Sequence, residues 1–446
     1  MSTLITNATL ITRDAQDTVI PDGGGALAFE GALITDVGSA AELEARYPEA
    51  ERIDARGRLV MPGLINTHMH YYSTFARGID FGSRPATTFG EVLSGLWWRL
   101  DKMLTLEDVY YSAVGPMIDC VRNGVTTVID HHASPSSVRD SLLVIAKAAQ
   151  RIGIRSNLCY EVSDRDGEEV AKAGIAENAA FVRSCQQAND DMLRGLMGVH
   201  AQMTISQPTM DALVAEAESL GVGYHIHAAE GIEDVVNSLG TYGRRVIERL
   251  SDNGILNERS IVVHCVQVLD EEIELLAHSG VAVINNPESN MSNAVGASPV
   301  LKMLAAGVLV GMGTDGYCTD MTESLRGVHA LVKHEARIPS VGWAEPPRML
   351  FENNRTIINR LLVNGHTGVL EPGAYADLII VDYEAPTPVS AKTINSHILF
   401  GVMGRSVATT IINGRIVMRE RELVDIDEEK IMAVSREQAA RLWSRI

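Results

Sequence analysis

The chain contains no CxxC pair. Its five cysteines, Cys120, Cys159, Cys185, Cys265 and Cys318, are scattered, odd in number and mostly flanked by apolar residues. They read as reduced core thiols of a cytosolic protein, not as a disulfide framework. No run of 18 apolar residues occurs, and the opening MSTLITNATLI lacks a basic region followed by a long apolar stretch. Neither a membrane span nor a secretory signal is expected, so the expected location is the cytoplasm, with no membrane partner. Basic charge is also in deficit. With 38 Lys and Arg against 57 Asp and Glu, the formal charge is -19. A polyanion would meet a mostly repulsive field, which argues against nucleic acid as a partner. There is no internal repeat of fixed period and no low-complexity linker.

What is present is an ordinary globular composition, 46% hydrophobic and 21% charged, over 446 residues. That length exceeds one usual core and calls for a large barrel with appendages, or for two to three domains. Residues 1–60 carry short alternating or β-branched runs such as TLITNATLIT and RIDARGRLV, broken by Gly and Asp turns. From about residue 61 the texture changes. Short apolar runs alternate with helical patterns such as TLEDVYYSAVGPMIDCVRNG and SQPTMDALVAEAESLG, the second with Ser206 as its expected cap. Eight buried-strand runs can be read: LVMPGLINTH, VTTVIDHH, IRSNLCYEV, LRGLMGVHA, VGYHIHAAE, SIVVHCV, VAVINNPES and VLVGMGTDG.

Eight strands alternating with helices predict an α/β fold, a (β/α)8 TIM-type barrel over 61–369, with chemistry at the C-terminal strand ends. Strand texture returns in ADLIIVDY and VATTIINGRIVM, with Asn413-Gly414 as a two-residue hairpin turn, and DEEKIMAVSREQAARLWSRI reads as an amphipathic helix. Each strand-rich end alone holds too few strands for stability. The expectation is a small β-sandwich built from 1–60 and 370–446, the latter also carrying the terminal helix.

Four strand ends carry groups able to bind a divalent ion: His68 and His70 on the first, His227 on the fifth, His264 on the sixth, Asp315 on the eighth. These N and O donors suit Zn²⁺ or Fe²⁺ over Mg²⁺ or Ca²⁺. Residues two apart on a strand share a face, so His68 and His70 can chelate one ion. Taken singly, each has an ordinary reading as a core histidine or a turn aspartate. Their coincidence at successive strand ends is what points to a metal site. Glu230, three residues after His227, is the candidate general acid/base, since bound metal lowers the pKa of its water to roughly 7 and a dry carboxylate can shuttle the proton.

PGLINTHMH, HIHAAE, VVHC, NPESNMSNAVGASPV and GTDG, with TGVLEPGAYADLIIVD after them, together resemble the amidohydrolase superfamily. The likeness is to its aminohydrolase branch of S-adenosylhomocysteine, guanine and triazine deaminases and chlorohydrolases. STFARG (73–78) and LWWRLDK (96–102) are most similar to aminohydrolases of the SsnA type. The resemblance implies that His68, His70, His227 and Asp315 bind a single metal ion, Zn²⁺ before Fe²⁺. It also implies that His264 contacts water or substrate, that Glu230 shuttles protons, and that Asp315 also acts as a base. Two-metal members bridge their ions with a modified lysine, and the fourth-strand run LRGLMGVHA has none.

The implied activity is hydrolytic deamination of a small N-heterocycle such as a purine, pterin, pyrimidine or triazine. It belongs to the hydrolases of carbon–nitrogen bonds other than peptide bonds. The alternatives are cyclic amide hydrolysis, removal of a non-amine substituent, and a barrel retained only as a scaffold. A homo-oligomer is implied by the resemblance alone. His200, Gln202, Asn290 and Trp97 are the candidate substrate contacts. Val199-His200-Ala201-Gln202-Met203 departs from the branch's usual run after the fourth strand, which suggests a differently shaped pocket. His225 reads either as a support for the site or as a core residue. Roles for His131, His132 and Arg77 stay open.

Overall fold

The computed structural model describes residues 2–82 and 84–446. The eight expected runs all form parallel strands, and each is followed by helix: Leu64–Met69, Val125–His132, Arg155–Tyr160, a split fourth of Leu193–Gly195 and Met197–Ala201, Tyr224–Ala228, Ile261–His264, Ala282–Asn285 and Leu309–Met312. They lie in a four-stranded and a five-stranded parallel sheet. Both breaks between the two sheets are spanned. Met69 bridges Asp315 in parallel, and Val162 bridges Val199. The amides of Thr314 and Asp315 both donate to the His68 carbonyl at 3.0 Å. The fourth run splits where the chain changes neighbour. Leu193–Gly195 pairs with the third strand and Met197–Ala201 with the fifth. Gly198 is needed there, because a Cβ would stand 2.3 Å from the Tyr160 carbonyl oxygen.

LVMPGLINTH, read as one strand, is two. Leu59–Pro62 pairs with Ser2–Ile11 and Leu378–Val381, whereas Leu64–Met69 pairs with Val125–His132. The chain crosses from one sheet to the other at Gly63, whose amide donates to the Asp377 carbonyl while the next amide donates to that of Gly124. A Cβ on Gly63 would sit 2.2 Å from the Thr126 side chain. Among the described residues, strands from both chain ends pair into a single nine-stranded sheet, in which the Leu59–Pro62 and Leu378–Val381 pair joins the N-terminal strands to the C-terminal ones. Ile5, Leu27, Val60, Leu378 and Ile411 form its own apolar core. Asn413 and Gly414 make the expected hairpin turn, both at positive φ (52° and 73°).

The terminal helix, Glu428–Trp443, packs against the helix Leu106–Arg122, with Gln438 and Arg445 both bonded to the buried Asp108. It lies on the parallel-sheet unit rather than on the nine-stranded sheet. Among the described residues, no helix is long and apolar enough to cross a membrane.

One ion pair ties the two units together. Arg155, at the base of the third parallel strand, donates to Asp377 at 3.0 and 3.1 Å, and both side chains are fully enclosed. Asp377 also accepts from Thr367 and from the Asn413 amide. Removing one partner strands a buried charge, so Asp377→Ala is expected to cost about 3–5 kcal/mol, read as a lowered urea midpoint. A shift under about 1 kcal/mol would contradict this account.

Candidate metal and hydrolytic site

Four imidazoles present Nε2 to one region because the other ring nitrogen of each is tied down. His70 Nδ1 lies 2.5 Å from the His131 carbonyl and His227 Nδ1 lies 2.8 Å from the His200 carbonyl. A carbonyl can only accept, so both Nδ1 atoms carry the proton and both Nε2 atoms present a lone pair. His264 Nδ1 is 2.8 Å from Asn290 Oδ1, and His68 Nδ1 shares a 2.9 Å hydrogen bond with His225 Nε2. The Nε2 atoms then face Asp315. His70 Nε2 is 3.0 Å from Asp315 Oδ1 and 3.2 Å from His227 Nε2, His68 Nε2 is 3.5 Å from Oδ1, and His264 Nε2 is 3.7 Å from Oδ2.

These residues fit a divalent ion. His68 Nε2 is buried without a hydrogen-bond partner, and the Nε2 lone pairs of His70 and His227 face each other, an unfavourable arrangement unless a cation lies between them. Donor separations near 3 Å are those of ligands each about 2.1 Å from one ion. The chemistry of the set, imidazole nitrogens with one carboxylate, is that of borderline divalent metals. The local field agrees. Against the cost of burial, Asp315 and Glu161 hold the His70 imidazole well above its ordinary pKa, and despite burial the hydrogen bonds to His68 and His70 hold the Asp315 carboxyl well below its own. Burial lowers the pKa of His68, His227 and His264, so the shift toward positive charge is confined to His70.

Glu230 adjoins the cluster, with Oε2 3.4 Å from His264 Nε2 and Oε1 accepting from Asn293 at 3.3 Å. Burial, reinforced by the Asp315 charge, raises its carboxyl well above the usual range. A carboxyl whose pKa is raised in this way is suited to deliver a proton. The backbone here is strained as well. Ala229, His264, Cys265 and Asp315, none of them glycine, have φ of 50°, 74°, 46° and 54°. Left-handed non-glycine residues carry a cost that surrounding structure must offset, and they concentrate at functional sites.

With His68 buried behind them, His70, His227, Glu230, His264 and Asp315 line a cavity of about 280 Å³. His200 and Trp97 line it, as the sequence led us to expect, and Trp98 lies beside them with its ring 6.0 Å from His200. Gln202 does not line it. Its amide is buried, donating to Asp234 at 2.8 and 2.9 Å and accepting from Arg249 at 2.8 Å, so it cannot serve as the substrate contact it was expected to be. Asp234 in turn accepts from the Ala229 amide, so Gln202 holds the turn that carries Glu230. Asn290 is likewise a correction. It sits behind His264 with no exposed surface and acts through that ring. Arg77 pairs with Asp119 outside the cavity. His225 stacks on His131 at 4.2 Å beneath the site.

Sequence reading missed Glu161. It follows the third strand, lines the cavity and is 3% exposed. It was legible only as the polar end of IRSNLCYEV, a position equivalent to those of the histidines. Ser289, whose hydroxyl donates to Asp315 Oδ2 at 2.5 Å, was also missed. For Gln202→Ala we expect a loss of about 1–3 kcal/mol in urea unfolding, because Asp234 and Arg249 lose buried partners. A change confined to KM, with stability intact, would return Gln202 to the substrate side.

Residues 59–417 match the amidohydrolase family, and residues 25–50 an imidazolonepropionase-like composite domain of bacteria. The 5'-deoxyadenosine deaminase of Methanosarcina barkeri is 31% identical over 451 residues, 99% of each chain. The 5-methylthioadenosine/S-adenosylhomocysteine deaminase of Desulforudis audaxviator is 30% identical over 97% of this chain and 99% of its own. Among solved structures, an adenosine deaminase from Xanthomonas campestris with bound zinc shares the fold at a TM-score of 0.87, with 23% identity over 99% and 98% of the two chains. The zinc complex of atrazine chlorohydrolase from Arthrobacter aurescens does so at 0.83, with 22% identity over 98% and 100%. Full-length likeness and the donor cluster converge on one conclusion: the chain belongs to the amidohydrolase family.

Proposed function

We propose that the protein is a metal-dependent aminohydrolase that replaces the exocyclic amine of a small N-heterocycle, such as a purine, pterin, pyrimidine or triazine, by hydroxyl. The observation that carries this reading is the convergence of His68, His70 and His227 Nε2 on Asp315, with Glu230 beside them lining one cavity. His68, His70, His227 and Asp315 are the proposed ligands of a single ion, with zinc favoured by the donor set and by the zinc held in the two solved relatives. The ion's contribution is Lewis-acid activation of water at neutral pH.

The chain's own groups do the rest. Asp315 and His264 orient the attacking water and take its proton at Oδ2 and Nε2. Glu230 donates its proton to the ring nitrogen as the C=N carbon becomes tetrahedral. The proton taken from the water then passes to the leaving amine, which departs as ammonia, while the adduct's hydroxyl returns a proton to Glu230 as the C=O bond forms. Asn290 and the two carbonyls hold the imidazole tautomers this requires. The aromatic wall of Trp97, Trp98 and Tyr72 keeps a flat ring out of bulk water. We further read the two parallel sheets as one closed eight-stranded barrel. The nine-stranded sheet from both chain ends is then its small sandwich-like companion, with the division between the two units falling at Gly63. The chlorohydrolase likeness keeps loss of a non-amine substituent as a second reading.

Ammonia release and product mass should be followed together across such heterocycles. Exchange of NH₂ for OH supports deamination. Addition of water without ammonia would mean ring opening, and no turnover by metal-loaded protein across the panel would overturn the proposal. Glu230→Gln is expected to keep its metal and to lose at least ~10²-fold in kcat. His70→Ala should lose the ion by elemental analysis, and wild-type metal content in that variant would refute the ligand set.

A further inference from the structure

The cavity's charges are one-sided. No lysine or arginine lines it, whereas Asp101, Glu161, Glu230, Asp234 and Asp315 all do. Four of these carboxylates already have assigned partners. Asp315 faces the imidazoles, Glu230 meets His264 and Asn293, Asp234 is held by Gln202 and the Ala229 amide, and Asp101 is ion-paired to Arg165. Glu161 is different. Among the described residues no lysine or arginine pairs with it; its Oε1 is enclosed beside His70 Nδ1 and His131 Nδ1, at 3.2 and 3.7 Å, while its Oε2 makes no hydrogen bond and the residue lines the cavity. His70 Nδ1 lies 3.2 Å away, but its proton is directed to the His131 carbonyl. His200 Nε2, at 3.9 Å from Oε2, is too far to hydrogen-bond.

The Oε2 of this buried carboxylate has no donor, and it can receive one from whatever fills the cavity. Glu161 follows the third strand and His200 ends the fourth, across His70 from Glu230 and His264 on the fifth and sixth. Glu161 and Glu230 line the same cavity, so a ring with its reacting carbon near Glu230 can present another edge to Glu161.

We infer that Glu161 is a specificity-determining residue that selects heterocycles carrying a second N–H donor edge, an amino-substituted amidine, and that the site takes neutral or cationic rings and refuses anionic ones. This rests on the aminohydrolase reading of the same site. Glu161 Oε2 can accept an N–H bond from such an edge, and charge-assisted bonds of this kind are stronger than neutral ones. A ring that presents only acceptors there leaves Oε2 without a donor, and a phosphate or carboxylate on the substrate finds no counter-ion. By this inference the cavity prefers diamino rings to their monoamino counterparts.

The test compares 2,6-diaminopurine with adenine, and 2,4-diaminopyrimidine with 4-aminopyrimidine, using adenosine 5'-monophosphate as the anionic probe. Kd is read by calorimetry and kcat/KM by ammonia release, on metal-loaded wild type and on Glu161→Gln. We expect wild type to favour each diamino member by roughly 10-fold or more and to bind the monophosphate no better than adenine. In Glu161→Gln that ratio should fall to within about threefold while metal content is unchanged. Equal handling of the pairs by wild type would overturn the inference, as would a preference that survives in Glu161→Gln. Metal loss in that variant would also overturn it, since Glu161 would then be acting through His70. If no compound yields ammonia yet the diamino members bind more tightly through Glu161, the deaminase reading fails and this one stands.

Discussion

A carboxylate buried inside a protein must be matched by positive charge or by donors, and Asp315 is where this protein meets that demand. Its Oδ1 has two imidazole nitrogens within 3.5 Å, its Oδ2 accepts from Ser289, and its own amide is bonded to the His68 carbonyl. That amide bond is also a bridge between the first parallel strand and the chain leaving the eighth. The contact that joins these two strands therefore also positions the donor set. Loss of the Asp315 side chain would leave the Nε2 atoms of His68, His70 and His227 facing one another with no anion to hold a cation among them. The left-handed backbone at Asp315 and His264 shows what it costs to aim these groups at a shared point.

A layer of groups that touch no ligand holds that centre in place. The His131 and His200 carbonyls, Asn290 and His225 each occupy the outer nitrogen of one imidazole, so each ring has one useful tautomer. Gln202, Arg249 and Asp234 form a buried chain that fixes the turn before Glu230. Below them the Arg155–Asp377 pair joins the base of the third strand to the nine-stranded sheet, and Gly63 carries the chain from one sheet to the other. These supporting groups are buried, so each lost partner leaves another polar group unsatisfied.

Much of this was legible in the chain itself. Alternation of short apolar runs with helical patterns identified every parallel strand, because strands buried on both faces must be continuously apolar. Period-two spacing put His68 and His70 on one face, and Asn413-Gly414 announced a turn whose φ values few other pairs adopt. The failures share a cause. LVMPGLINTH and LRGLMGVHA each read as one strand, since composition does not report a change of neighbour. Gly63 and Gly198 mark those changes only through the Thr126 side chain and the Tyr160 carbonyl, both distant in sequence. Ser206 holds its N-cap position, yet its hydroxyl turns to Thr209.

The sequence by itself determined the strand and helix periods, the ligand types and their placement at strand ends, because these follow from local pattern and from the chemistry of imidazole and carboxylate. Only the tertiary structure decided which polar side chains face the cavity and which are consumed in support. Gln202 and Asn290 looked like substrate contacts and are enclosed by Asp234, Arg249 and His264. Glu161 looked like the end of a strand and lines the cavity beside His70. Hydrogen-bond partners drawn from separate strands settle that division, and no local signal records them.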